Sequence, residues 1–341
     1  MRTCAPVYPP AVTMKIKIMK FGGTSLSDPE KIRLAAYRAA AEKKKGFSVV
    51  LVLSAPGQIT DELLELAARI NPKPSARELD ALLSTGENLS VALAAMALEA
   101  AGHSAVSLSG AQAGITTDSV FSNANLKVLN PKRVIAELKK GKIAVVAGFQ
   151  GVDRSGNITT LGRGGSDLTA VALAKALKAE ICELYSDVKG IYTANPAIVS
   201  SAKKLAKISY GEVTALAEAG TEIRQLRAVL YAKKHNIPLL LRSSFGDEPG
   251  TVIGNFRDAA MADSAVKCFS MRKKANHAEI TLIGSALNRD KIKHRIRRIA
   301  ELGGYRLEKA AYSSTKAVLL TAPHCGTSLL NELHASLLRR S

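Results

Sequence analysis

The stretch "IKIMKFGGTSLSDPEKI", residues 16–32, decides how the rest of the chain reads. An apolar run ends on Lys20 and Phe21, two glycines follow, and Ser27, Asp28 and Pro29 open a helical pattern. Proline is well placed in a first helical turn. One reading is a tight strand-to-helix turn. The other is an anion site: Gly22 and Gly23 let backbone N–H groups close on phosphate oxygens, Lys20 brings charge, and the helix N-terminus adds its dipole. Neither G-x-x-x-x-G-K-[ST] nor G-x-G-x-x-G occurs, so the turn is not a P-loop or a Rossmann fingerprint.

Working outward, short β-rich runs alternate with helical stretches up to about residue 255. "KIKIMKF", "SVVLVLS", "SAVSLSG", "KIAVVAGF", "AEICELYS" and "IPLLLRSS" read as strands. "PEKIRLAAYRAAAEKK", "LSVALAAMALEAAG", "DLTAVALAKALKA" and "IRQLRAVLYAKKH" read as helices. Nearly all-apolar strands alternating with helices predict an α/β fold with a mostly parallel sheet covered on both faces. "FGDEPGTVIGNFRDAAMADS" then reads as a linker. The tail has the order β-α-β-β-α and forms a small α+β unit. The expected division is an extension over 1–13 that is disordered, with Met14 as a possible start, a large domain over 14–255, a linker over 256–263 and the small domain over 264–341.

Composition narrows the function classes. The chain has 341 residues, 47% hydrophobic and 23% charged, as ordinary globular proteins have. No apolar run reaches the roughly 18 residues of a membrane span, and the first residues lack the pattern of a signal peptide. Cys4, Cys182, Cys268 and Cys325 are widely spaced without metal-ligand spacing, which suits a reducing cytoplasm. The net charge of +19 favours anionic partners, while the absence of Trp and 4% aromatic content leave few stacking platforms for single-stranded nucleic acid. The six histidines, His103, His235, His277, His294, His324 and His334, form no ligand pattern.

Two further stretches resemble the opening one in chemistry. In "NITTLGRGGSDLTAVALAKAL", residues 157–177, Arg163 stands among Gly162, Gly164 and Gly165, and Ser166-Asp167 opens an apolar helix. Ser or Asp there is an ordinary cap. An arginine held between glycines is not explained by capping, and its fork can grip a carboxylate. In "LLSTGENLSVALAAMAL", residues 82–98, Glu87 sits at the predicted opening of a helix, where a favourable charge on the dipole is the plain explanation. Together, two glycine-rich nests, a lysine, an arginine and an acid fall at strand-to-helix transitions, which in an open α/β sheet gather at one edge, where ligands bind.

"KFGGTS", "VLSAPGQITDEL", "LSTGE", "FQGVDRSGNITTLGRGGSD", "SDVKGIYTANP" and "SSF…PGT" resemble, in order, the motifs of aspartate kinases of the amino-acid kinase fold, from about Met14 to Thr251. The tail from about Ser264 resembles one ACT-type regulatory module, where such kinases typically carry two. The resemblance implies phosphorylation of L-aspartate by ATP with Mg²⁺, and a homodimer formed through the ACT-like unit. It assigns catalysis to Lys20, Gly22, Gly23 and Asp167. It places Ser54, Thr60, Glu87, Arg163 and Ser166 around the substrate, with Arg163 on the α-carboxylate and Glu87 on the ammonium group. Lys20, Gly23, Ser25, Ser186, Asp187 and Tyr192 would meet the nucleotide. No protein-held metal is implied.

The chain departs from the family pattern on the nucleotide side. Lys189 replaces a usual acid, Ala197 a usual basic residue, Glu222 a usual lysine, and Gln225-Leu226 a usual His-Pro. Lys189 or Arg224 restores the charge balance from another position, or nucleotide affinity is lower. The loop "GSALNRDKI" is not the Pro/Gly-rich effector loop of the family, so feedback by lysine or threonine is not expected. From residue 264 onward 15 Lys+Arg face 5 Asp+Glu, a net +10. In "NRDKIKHRIRRIAEL", Ile292, Ile296 and Ile299 form a core stripe and the basic residues another face. That face is a solvated surface or, in the alternative reading, lets a catalytically impaired homologue bind nucleic acid.

Overall fold

A computed structural model describes residues 14–221, 226–256 and 266–338. The extension over 1–13, most of the 256–263 linker, and Glu222, Arg224 and Gln225 therefore lie outside the described residues.

Chain order gives β1 (Ile16–Phe21), α1 (Pro29–Lys44), β2 (Ser48–Leu53), α2 (Ile59–Ile70), α3 (Ala76–Ala100), β3 (Ala105–Leu108), β4 (Ile115–Thr117) and β5 (Leu126–Leu129). It continues through α4 (Lys132–Lys139), β6 (Ile143–Ala147), β7 (Gln150–Val152), β8 (Ile158–Thr160), α5 (Gly165–Ala176) and β9 (Cys182–Ser186). Then come β10 (Lys207–Ser209), α6 (Tyr210–Glu218), α7 (Leu226–His235), β11 (Leu239–Ser243) and β12 (Thr251–Gly254). The small unit comprises β13 (Val266–Lys273), β14 (Ala278–Gly284), α8 (Asp290–Leu302), β15 (Leu307–Tyr312), β16 (Lys316–Thr321) and α9 (Gly326–Leu338).

The large sheet has the order β10-β12-β11-β9-β1-β2-β6-β3. From β11 to β3 all neighbours run parallel, and β12 returns antiparallel to β11. All six strands read from the sequence lie in this parallel block. β10 and β12 were not anticipated; β12 falls inside the stretch read as linker, because four residues between Pro-Gly and Asn carry too little pattern to register. A second sheet, β5-β4-β7-β8, was also missed, since its strands are only three or four residues long.

Central β1 explains why the sheet needs two covers. Ile18, Met19 and Phe21 are all at most 1% exposed, so successive side chains are buried on opposite faces. Ile18 joins Val50, Val52, Val146 and Leu173 of α5 in one core, while Met19 and Phe21 join Ala35, Ala36 and Ala39 of α1 and Val91 and Leu98 of α3 in the other. Lys20 has the parity of Ile18, so its side chain leaves on the α5 face. Helix α1 starts where the sequence says: the Asp28 carboxylate accepts from Lys31 N–H at 2.9 Å, and Pro29 occupies the first turn.

Helix α3 differs from expectation in a way that matters for the site. It begins at Ala76, capped by Ser75, which accepts from Glu78 N–H. Glu87 therefore lies in its middle, and the dipole explanation of that residue is wrong. The signal was present: Ser75 with Glu78 three residues later is a capping pattern. Among the described residues α3 is the one helix long and apolar enough to cross a membrane, but Leu83, Val91, Ala94 and Leu98 are packed in the protein core.

The small unit is corrected from β-α-β-β-α to β-β-α-β-β-α. The unanticipated β13 pairs antiparallel with β14, and the sheet order is β13-β14-β16-β15. "VKCFSMRK" was passed over because its second half is charged. One sheet face meets α8 and α9 through Phe269, Ile280, Leu282, Leu319, Ile296 and Leu333. The other rests on the large domain: Ser270 donates to Ala219 O at 3.2 Å, Arg272 to Glu218 O at 2.9 Å, and Lys267 pairs with Glu212 at 3.0 Å.

Two backbones approach closely where β6 ends. A Cβ on Gly148 would stand 2.6 Å from Ser166 Cβ, so only glycine lets α5 begin this near the sheet. Gly148→Ala is expected to cost about 1–3 kcal/mol through overpacking and to displace the first turn of α5. Chemical denaturation measures the first effect and activity the second.

Candidate active site

The C-terminal ends of β1, β2, β6, β9 and β11 form one edge, and the motif turns leave from it. After β1 the chain passes Gly22, whose N–H donates to Tyr185 O at 3.3 Å, into a 3-10 turn over Gly23–Leu26. Gly23 is locked against the turn that follows β2: its carbonyl accepts from Gly57 N–H at 2.9 Å, and a Cβ would stand 2.8 Å from Ala55 O. Ser25 meets Ser244, beyond β11, at 2.6 Å between hydroxyl oxygens. The 244–247 loop is held in turn by Arg38 of α1, which donates to Ser244 O and Gly246 O and pairs with Asp247 at 2.9 Å.

Opposite this turn, the second glycine-rich stretch starts α5. Gly162 and Gly164 adopt φ of 73° and 75°, left-handed values that side chains resist, and Gly165, Ser166 and Asp167 form the first helical turn. The parity of β1 now decides the site. Lys20 Nζ lies 2.8 Å from Asp167 Oδ1, with both side chains 8% exposed. The elements that carry the two glycine-rich turns thus meet at this ion pair, which marks the candidate cleft. The contact is ionic without hydrogen-bond alignment at Asp167 Oδ1.

Glu87 enters from the flank. It is 3% exposed, Oε1 accepts from Ala55 N–H at 2.9 Å, and Oε2 has no hydrogen-bond partner among the described residues. Burial pushes its carboxyl up to about 7, against the opposing pull of the Ala55 N–H and the Lys20 charge. A buried carboxylate with a free oxygen is costly unless a cation comes to it. The same face of α3 carries Asp80, fully buried, whose two oxygens accept from Ser122 N–H, from Thr160 N–H at 2.7 Å and from the Thr160 hydroxyl at 2.8 Å. Asp80 thereby pins the end of β8, from which the Gly162–Gly165 turn departs. Arg227 assists by donating to Leu161 O and, at 2.9 Å, to Asn123 Oδ1.

Sequence reasoning missed Asp80 and Arg227, which act on the turn and not in the cleft. Of the residues it did single out, Lys20, Gly22, Gly23, Glu87, Ser166 and Asp167 are brought together; Ser54 precedes Ala55, whose N–H donates to Glu87, and its own carbonyl accepts from the Ser90 hydroxyl at 2.7 Å. Ser186 ends β9 beside Gly22, its hydroxyl accepting from Val188 N–H and its carbonyl from Ser244 N–H. Thr60 lies in the first turn of α2; Arg163 and Asp187 are exposed and Tyr192 half-buried. No contact among the described residues ties these four to the Lys20–Asp167 pair.

The model of the amino acid kinase family matches residues 15–243. The chain belongs to the amino acid kinase family. Within that family it is 49% identical over 273 residues to the aspartokinase of Corynebacterium glutamicum, covering 80% of this chain and 64% of that one. With aspartokinase 2 of Bacillus subtilis it shares 51% over 240 residues, 70% of this chain and 59% of the relative. The chain thus spans about 64% of the length of the first of these relatives. The aspartate kinase structure from Synechocystis superposes with a TM-score of 0.64 at 29% identity, covering 94% of this chain and 69% of that one. Escherichia coli aspartokinase III, solved with aspartate and ADP, gives 0.77 at 20% identity over 95% of this chain and all of that one, a likeness of fold.

As a family member the chain shows how one departure is accommodated. Lys189, in place of an acid, pairs with Glu248 at 2.8 Å, and Lys204 approaches the same carboxylate at 3.6 Å. The Lys189 charge is thus already engaged at the surface.

Because the folded protein holds the Glu87 carboxyl near 7, this group's stabilising contribution is full below its ordinary value of 4.5 and fades as pH rises through 7. The shift corresponds to about 3 kcal/mol. Glu87→Gln is expected to remove that loss, leaving the variant more stable than the parent at pH 8 and closer to it at pH 5. Denaturant titrations at the two pH values measure the difference.

Proposed function

We propose that this chain transfers the γ-phosphoryl group of ATP to the β-carboxylate of L-aspartate, giving L-4-aspartyl phosphate and ADP at the head of lysine, threonine and methionine synthesis. One observation carries the reading: the buried Lys20–Asp167 pair sits where two glycine-rich turns meet, with the unpartnered Glu87 oxygen beside it. The names of the relatives support it, and so does the aspartate and ADP complex of the Escherichia coli protein.

The chemistry asks little covalent help from the protein. The β-carboxylate of aspartate is ionised near neutral pH, so no general base is needed. One of its oxygens attacks the γ-phosphorus, the bond to the β–γ bridging oxygen breaks, and ADP leaves with that electron pair. Catalysis then rests on position and charge. Lys20 turns from Asp167 toward the transferring phosphoryl and the Gly23 N–H supports its oxygens, whereas the Gly22 N–H, expected to do the same, is engaged by Tyr185 O, so that Gly22 shapes the turn. Glu87 receives the substrate ammonium, Arg163 grips the α-carboxylate, and Ser54, Thr60 and Ser166 shape the recess. Ser25, Ser186, Asp187 and Tyr192 border the nucleotide. Mg²⁺ travels with the triphosphate and screens its charge when bound. Asp167, with an oxygen lacking an aligned hydrogen bond, is the carboxylate on offer to it.

A homodimer through the small unit belongs to the same proposal, with the outer edge of β15 unpaired among the described residues. Cytoplasmic location goes with it. The relatives give no support to the alternative of a nucleic-acid-binding homologue.

A coupled assay with ATP and Mg²⁺, scanning aspartate against related acidic amino acids, tests the reading; no aspartate-dependent turnover at millimolar substrates overturns it. Lys20→Ala is expected to lower kcat by on the order of 10²–10³-fold. Arg163→Ala is expected to raise KM for aspartate by roughly 10–100-fold; an unchanged KM refutes its assigned place. KM for aspartate is also expected to rise as pH falls below about 7, where Glu87 takes up a proton and loses its attraction for the ammonium group. Steady-state kinetics from pH 6 to 8.5 measure that rise.

A further inference from the structure

The segment that leaves β9 at the cleft does not stay in the large domain's core. Ala194 and Val199 are buried in the same hydrophobic cluster as Phe269, Leu330, Leu333 and Leu337 of the small unit. Phe269 N–H donates to Thr193 O at 2.7 Å, and Asn331 of α9 donates to Ile198 O at 3.3 Å. At the centre stands His334, 4% exposed on α9. Its Nε2 lies 2.9 Å from the Thr193 hydroxyl and its Nδ1 3.3 Å from that of Ser201, while the Phe269 ring packs 5.6 Å away. The Thr193 hydroxyl also accepts from Lys203 N–H at 2.9 Å. A neutral imidazole has one donor and one acceptor nitrogen, so it serves both hydroxyls at once. Burial, aided by Lys203, favours that neutral form.

Thr193 matters for what precedes it. Tyr192 forms an antiparallel bridge with Lys204, and the Thr193 N–H donates to Lys203 O at 2.8 Å while its hydroxyl accepts from Lys203 N–H, so this part of the segment is extended. Neighbouring side chains on extended backbone point to opposite sides. With Thr193 held on the small unit, Tyr192 is directed away from it. Asp187 begins the same segment, directly after Ser186 at the sheet edge.

We propose that His334 is a positioning residue for the nucleotide: by holding Thr193 and Ser201, the small unit aims the 187–204 segment, and so sets ATP affinity without touching ATP. The inference rests on the kinase reading of the cleft. It deepens that reading by placing one determinant of nucleotide binding in the other structural unit.

The test uses the full chain with His334→Leu, His334→Gln and Thr193→Val. His334→Leu and Thr193→Val are each expected to raise KM for ATP about 5–20-fold and to leave KM for aspartate within about twofold. Amides of 191–204 are expected to exchange hydrogen faster in both. His334→Gln, which keeps a polar group near the Nε2 position, is expected to recover most of the ATP affinity. Unchanged KM for ATP with unchanged exchange overturns the proposal, as does an equal rise in both KM values. If the parent protein has no turnover, the kinase reading falls by itself, and calorimetric titration with ADP then decides the positioning claim on the same variants. Binding weakened by His334→Leu and kept by His334→Gln supports it; equal binding by all, or none by the parent, overturns it. Should His334→Leu fail to fold, Thr193→Val and His334→Gln carry the same comparison.

Discussion

The architecture around the cleft depends on bringing one ammonium and one carboxylate together out of water. Lys20 and Asp167 come from elements nearly 150 residues apart, and each would be costly to bury alone. The pair meets only if β1 has the right parity, Gly148 leaves room for α5, and the Gly162–Gly165 turn adopts left-handed backbone. A hydrophobic pair in the same place would hold the fold as well or better. Retaining charge there makes sense when a more highly charged visitor is to displace one partner, which is the part the proposed reaction gives to a triphosphate.

The polar side of the site follows the same logic along α3. Its buried stripe at positions 80, 84, 87, 91, 94 and 98 is polar in the first half and apolar in the second. The polar half fronts the turns at the sheet edge, through Asp80 and Glu87, and the apolar half fills the core with Val91, Ala94 and Leu98. One helix therefore anchors the arginine-bearing turn and offers the carboxylate beside it. The small unit shares its core with residues 194–199 of the segment that follows β9.

How much was legible in the sequence varied with the range of the interaction involved. The parallel block could be read because its strands are apolar on both faces. Lys20, Gly22, Gly23, Ser166 and Asp167 stood out because glycines next to charge are hard to explain by packing alone. Glu87 was singled out but placed at a helix start, since the capping Ser75 lies twelve residues upstream. Asp80 looked like any acid on a helix; its four hydrogen bonds come from residues 42 and 80 positions away. His334 carried no signal at all, because its partners Thr193 and Ser201 are contributed by a segment more than 130 residues earlier. Short edge strands, and β13 with its charged end, were lost because pairing and not composition defines them.

The unbroken course of α3 constrains its length between Asp80 and Glu87. Asp80 and Glu87 are seven residues apart, about 10 Å along the axis and within about 20° of the same direction. Inserting or deleting a single residue between them would swing one relative to the other by about 100°. Exchanging side chains on the outer surface of this interval therefore leaves the two carboxylates aligned, while changing its length does not.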